Sequence, residues 1–210
     1  MRYIIVLVIM LGIQKVSAQD KDRSTFLHFS TSVYQSFYKA PPTVDVTWAN
    51  IGVGVSHFHS LNYMMGIRAM YRLNAMSWKD SSMIARSSTG GALYDINPVV
   101  REYNSMFTLA FHIKPHPKFY IETGITLMWH MYTGTKIQYF DQNGQLVEGY
   151  VSVKYLKKLE PYLPVGIYYK SNKFMIGTRF DFGLINRYYR TDDFQWRAGI
   201  FSLEAGFKIK

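Results

Sequence analysis

Few side chains in this chain of 210 residues have the type and spacing to do chemistry. The tightest grouping is His57-Phe58-His59-Ser60. A serine beside a histidine is the start of an acyl-transfer site, provided that an acid orients the ring and the ring reaches the hydroxyl. His112, His116 and His130 are spread too widely for a metal-ligand motif, and the chain has no cysteine, so a thiolate site and a disulfide framework are both excluded. No Gly-rich phosphate loop, HExxH motif or basic-aromatic nucleic-acid module is present. The expectation is therefore no catalytic residue, no metal, no cofactor and no nucleic-acid partner. What stands out instead is a set of charges inside apolar segments. Glu122 lies in the run FYIETGITLMWHM, Phe119 to Met131, and Arg68, Arg72, Glu160, Arg179, Asp181 and Glu204 lie in similar runs.

The segments that carry these charges alternate with period two, the pattern of strands with unlike faces. In the run from Phe119, the odd positions are Phe, Ile, Thr, Ile, Leu, Trp and Met, whereas the even ones include Glu122, Gly124 and His130. Seven further segments alternate likewise, giving eight predicted strands near residues 27–37, 49–56, 63–74, 103–113, 119–131, 159–169, 174–184 and 201–209. Each is about 9–13 residues long, the length a tilted strand needs to cross a bilayer. His59–Asn62, Lys114–Lys118 and Lys170–Lys173 make short connections, and the other connections are long. Asp141-Gln-Asn-Gly144 reads as a reverse turn at the tip of a long one.

Both faces of these strands argue against a soluble sandwich, which shows water a charged face. The greasy face carries no charge in any of the eight segments, as lipid contact requires. The other face is rich in Gly, Ser, Thr and Ala, residues that fit a narrow lumen. Aromatics bracket the strands. Phe37, Trp48, Trp129, Tyr132, Tyr188 and Trp196 stand near the long-loop ends, and Tyr63, Phe119, Tyr169 and Phe174 near the short-turn ends. Such bands are the interfacial girdles of a membrane barrel.

The start of the chain supports export. Arg2, an apolar run from Tyr3 to Ile13, and Val16-Ser17-Ala18 have the layout of a signal peptide cleaved after residue 18. The mature domain would be residues 19–210, with the formal charge falling from +10 to +8 when Arg2 and Lys15 leave. The expected fold is all-β: an eight-stranded antiparallel up-and-down transmembrane β-barrel with short periplasmic turns and long extracellular loops. By parity Arg68, Arg72, Arg179, Glu122, Glu160, Asp181, Glu204 and Lys208 point into the lumen, where isolated charges are costly and a salt-bridged plug is expected. Excess Lys and Arg in the long loops, such as Lys79, Arg86, Arg101, Lys136, Lys154, Lys157 and Lys158, would face lipopolysaccharide phosphates or an acidic partner, or else form a solvated loop surface.

The leader, the alternating strands, the turn asymmetry and the terminal segment Gly199-Ile-Phe-Ser-Leu-Glu-Ala-Gly-Phe-Lys-Ile-Lys210 resemble the small outer-membrane barrels of Gram-negative bacteria. Tyrosine-rich strands and Gly52-Val-Gly54 resemble the outer-membrane β-barrel domain proteins of Bacteroidota, the group with the PorT-like proteins. The likeness covers residues 24–210 and departs in one respect: the last aromatic, Phe207, is followed by Lys-Ile-Lys where such barrels usually end in an aromatic. It implies insertion by the barrel assembly machinery, contact with outer-membrane lipids, and protein partners in that membrane. The expected role is a non-enzymatic structural or partner-binding subunit. Alternatives are a lipid A hydrolase or acyltransferase using His57, His59, Ser60 and His130, a small channel, or a periplasmic ligand-binding barrel.

Overall fold

The computed structural model describes residues 23–37, 44–45, 50–61, 64–80, 99–140, 143–152, 157–186 and 197–210, and its described elements are all strands. In chain order they are β1 (Arg23–Phe37), β2 (Val44–Asp45), β3 (Asn50–Ser60), β4 (Met65–Asp80), β5 (Val99–His116), β6 (Phe119–Phe140), β7 (Leu146–Ser152), β8 (Leu159–Lys170), β9 (Phe174–Gly183) and β10 (Arg197–Lys208). Leaving out the short β2 and β7, eight strands pair antiparallel with their chain neighbours, and β10 returns to β1 through Leu27↔Phe207 and Ser30↔Glu204. The result is a closed eight-stranded barrel with no free edge. Closure matters in lipid, where an unpaired backbone N–H or C=O has no water to turn to.

The eight strands agree with the alternation, but several run longer than the 9–13 residues expected from it. β4 and β5 stay paired from Met65↔Ile113 to Lys79↔Val99, through residues assigned to a loop on sequence. β6 reaches Phe140 and pairs with β7, so the third long loop is largely a hairpin. Gly144 at its tip has φ +74°, the left-handed region that glycine enters without a Cβ penalty. The leader and Trp48, Tyr63, Tyr188 and Trp196 lie outside the described residues, as do Arg86 and Lys154 of the basic loop residues; the side chains of Phe37, Lys79 and Lys136 also lie outside them.

Burial is inverted relative to a soluble protein. Ile51 is 67% exposed and Ile167 55%, whereas Arg68 and Asp181 are 0% exposed. The apolar residues thus form the outer wall, and the charges form the core. Tyr103, Trp129 and Tyr132 ring one end of the wall; Phe119, Tyr169 and Phe174 ring the other. Phe119 and Trp129 both lie on β6. At ~3.3 Å per residue and a tilt of ~40° their separation is ~25 Å across the wall, the height of an apolar band in an outer-membrane barrel.

β6 has one irregularity. Tyr103 pairs with Tyr132 and Asn104 with His130, so Met131 is an extra residue in β6. Met131 and Tyr132 therefore both face outward, and Thr133 turns in. A bulge of this kind shifts the inward parity of the outer part of the strand.

Close approach of β5 and β6 depends on Gly124. A Cβ at that position would lie 2.6 Å from Ala110 Cα and would meet the Leu109 carbonyl oxygen. Gly124→Ala is expected to destabilise the barrel by about 1–3 kcal/mol. Thr123→Ala, on the outward face, is expected to leave the unfolding midpoint near that of the parent. Urea titration of the refolded protein in micelles, read by tryptophan fluorescence, checks both.

Candidate functional site

The inward side chains stack in three levels. At the short-turn end, Phe26, Phe58, Tyr120, Tyr168 and Met175 pack as an apolar cluster. Phe58 sits edge-on to Phe26 at 5.6 Å and to Tyr120 at 6.0 Å. His112 lies between Phe58 and Tyr120, with ring centroids 5.6 and 5.1 Å away. It serves here as a buried ring in an aromatic stack.

The middle level is ionic. Arg68 Nη1 donates to both oxygens of Glu122 at 3.0 Å, and its Nη2 donates to Glu204 Oε2 at 2.9 Å. Arg72 Nη1 donates to the other Glu204 oxygen at 2.8 Å. Tyr168 OH donates to Glu204 Oε2 at 3.1 Å. Arg179 grips Asp181 through Nε, 3.0 Å from each oxygen, and through Nη2 at 2.6 Å from Oδ1; the same Nη2 reaches Thr108 at 2.8 Å and Thr126 at 2.5 Å. Arg72 Nη2 is 4.0 Å from Asp181 and links the two halves. Three guanidiniums thus meet three carboxylates. Two cation–π contacts tie this level to the aromatic one: Arg68 Cζ lies 4.6 Å from the Tyr168 ring centre and 5.3 Å from that of Phe58. His28 and Ser56 form a further short hydrogen bond beside it. Among the described residues, Arg68 Nε, Arg72 Nε and Arg179 Nη1 have no acceptor. Charge balance, more than complete hydrogen bonding, therefore holds this level.

Toward the long-loop end lies a third level. His130 stands between two carboxylates, Nδ1 2.6 Å from Glu102 Oε1 and Nε2 3.0 Å from Glu160 Oε1. Tyr162 OH donates to Glu160 Oε2 at 2.5 Å, and Asn104 bridges from Glu102 at 3.2 Å to Asn74 at 2.8 Å. Glu160 thus belongs to this cluster and not to the arginine network. Glu102 was not anticipated, although it shares parity with Asn104 one step beyond the predicted start of that strand.

Lys208 corrects the parity reading. It is exposed at the open short-turn end and outside the ionic level, because β10 ends there and the lumen with it. Nor does the structure assemble His57, His59 and Ser60 into a nucleophile and base. His57 Nδ1 is 3.0 Å from Thr25 Oγ1, and His59 Nδ1 accepts from Arg23 Nε at 3.2 Å. Ser60 Oγ accepts from Lys114 Nζ at 2.5 Å. His130 is on the far side of the ionic level. His116 is an exposed turn residue whose Nδ1 accepts from Lys118 N at 3.4 Å. Among the described residues no group of His, Cys, Asp and Glu has the geometry of a metal site. On the rims, the rings of Tyr103 and Tyr132 lie 5.9 Å apart and tilted, and those of Phe119 and Tyr169 meet edge-to-face at 5.5 Å.

Removing one partner of a buried ion pair leaves the other uncompensated, at a cost of ~3–5 kcal/mol. Glu204→Gln deprives two arginines and a tyrosine, and Glu122→Gln deprives Arg68 alone. Both variants are expected to unfold at lower urea, with Glu204→Gln the more damaged. Equilibrium unfolding of the pair beside the parent checks the order.

No family model and no curated protein matches this chain. Solved structures do. Ail, the attachment invasion locus protein of Yersinia pestis, is similar at 12% identity, over 91% of this chain and 100% of that one, with a TM-score of 0.47. Neisserial surface protein A is similar at 10% identity, over 90% and 100%, with a TM-score of 0.47. The N-terminal β-barrel domain of Pseudomonas aeruginosa OprF is similar at 9% identity, over 90% and 100%, with a TM-score of 0.32.

Proposed function

We propose that this chain is an integral outer-membrane β-barrel whose sealed lumen serves only to hold the wall in shape. Its work is that of a structural or partner-binding subunit of an outer-membrane complex, in secretion or assembly, as the resemblance to the PorT-like barrels of Bacteroidota implies. The observation that carries this reading is where the polar groups are. Arg68, Arg72, Arg179, Glu122, Asp181 and Glu204 are each no more than 2% exposed, so almost no water-sized space adjoins them. A conducting path would have to wet these groups. The wall meets lipid, and so the two rims remain as the places where something else can be recognised. In this reading the leader at residues 1–18 directs export, the barrel assembly machinery inserts the chain, the short turns face the periplasm, and the long loops face lipopolysaccharide.

The reading predicts that the purified protein gives no unitary conductance in planar bilayers, and that gentle detergent extraction from native membranes yields an assembly larger than one barrel. Regular single-channel steps would overturn the sealed lumen. Elution alone, at the size of one barrel in its micelle, would overturn the subunit role.

A further inference from the structure

The short-turn end of the barrel opens into a cavity of about 630 Å³, within the size range of ligand sites. Six cations line it: Arg23, Lys114, Lys118, Lys170, Lys173 and Lys208. Among the described residues its lining includes no Asp or Glu. Tyr120 forms part of the floor. Lys170 Nζ stands 4.5 Å above the Phe58 ring and 5.3 Å from that of Tyr120, and Lys114 Nζ is 5.6 Å from the Tyr120 ring. The ionic level beneath is balanced within itself, three guanidiniums against three carboxylates. Like charges gathered in one mouth repel within the Debye length of ~8 Å in physiological salt. An anionic occupant would relieve that repulsion.

The geometry restricts the occupant. Lys114 and Lys170 share the inward parity of their strands, and their ammonium groups lie over the inward Tyr120 and Phe58 rings, so they rise from the lumen side and not from the lipid-facing wall. Lipid headgroups packed around the outside are therefore poorly placed to reach them. The supporting turns are stiff. Ser171 Oγ accepts from Lys173 N at 3.2 Å and from Phe174 N at 3.0 Å, and it donates to the Phe174 carbonyl at 3.1 Å. A single phosphate group is usually taken by convergent donors, such as an arginine fork or a row of backbone N–H groups. Here the cations come from β1, from β5 and the turn after it, from β8 and the turn after it, and from β10, and five of the six are lysines on flexible stems. Dispersed point charges suit carboxylates distributed along a chain. We propose that this mouth binds an acidic peptide segment, rich in Asp and Glu, of a periplasmic protein partner. The side of the membrane rests on the orientation given under Proposed function; the pocket and its preference for acidic peptide do not.

The test uses the full chain in detergent, where both ends are accessible, and a fluorescein-labelled hexaglutamate peptide read by anisotropy. The peptide is expected to bind with an affinity that falls as salt rises. The double variant Lys114→Gln/Lys170→Gln is expected to lose about tenfold or more in affinity. Lys157→Gln/Lys158→Gln, with the same loss of charge at the long-loop end, is expected to bind like the parent, and heat-modifiable gel mobility shows that both variants are folded. Absence of peptide binding, or equal loss in the two double variants, would overturn the proposal. So would binding of tripolyphosphate without binding of the peptide, which would make the mouth a phosphate site. Orientation is read separately, by labelling Asn172→Cys and Asn143→Cys in intact cells with a membrane-impermeant maleimide. Label on residue 143 alone is expected; label on residue 172 would overturn the periplasmic placement while the peptide result stood.

Discussion

Glu204 is the group on which the interior depends. It enters on the last strand and accepts from two arginines of β4 on the other side of β1 and β3, while Tyr168 donates to one of its oxygens. Taking a carboxylate and two guanidiniums out of water costs several kcal/mol per ion, and mutual attraction offsets that only when partners and geometry are good. The barrel meets the condition by pairing three buried arginines with three carboxylates, and by setting the whole level between an aromatic layer and the Glu102–His130–Glu160 cluster. Such an interior is not chosen for stability over an apolar one. It follows from a wall that gives its apolar residues to the outside, leaving polar and small residues to fill a lumen only eight strands wide.

The same constraint explains why the segment from Phe119 to Met131 is greasy yet charged. Its odd residues form wall, and Glu122 is held by Arg68 across two strand boundaries, from β6 to β4. An isolated carboxylate in such a run would resemble a catalytic group in a hydrophobic pocket. In place, both its oxygens lie 3.0 Å from one guanidinium nitrogen of Arg68, a group that cannot give up its proton.

Much of this was legible in the residues because strand parity is strict. Period two separates wall from lumen for Arg68, Arg72, Glu122, Arg179, Asp181 and Glu204 without any knowledge of pairing. Which acid meets which arginine was not legible, since that depends on register and stagger around the whole barrel. Parity also fails at its limits. It holds Lys208 inward by position, but the lumen has ended there. It breaks at Met131, where one inserted residue turns Tyr132 outward and Thr133 inward. The extension of β4, β5 and β6 was missed because strands continuing above the membrane no longer need an apolar face, and so lose the alternation that identifies them. Glu102 was missed for the same reason, since it lies at that boundary.

The chain order of the ionic partners gives the barrel a sense of its own completion. Arg68 and Arg72 arrive early, on β4, whereas Glu204 arrives on the last strand, the one that also bonds to β1. A partly threaded chain therefore carries two guanidiniums on one strand with Glu122 as the sole carboxylate within reach of Arg68. Zipping the seam and delivering the missing counter-ion are one event, so an unfinished cylinder is disfavoured twice, by its open edge and by its unbalanced lumen. Errors in the order of insertion would be felt as charge before they were felt as shape.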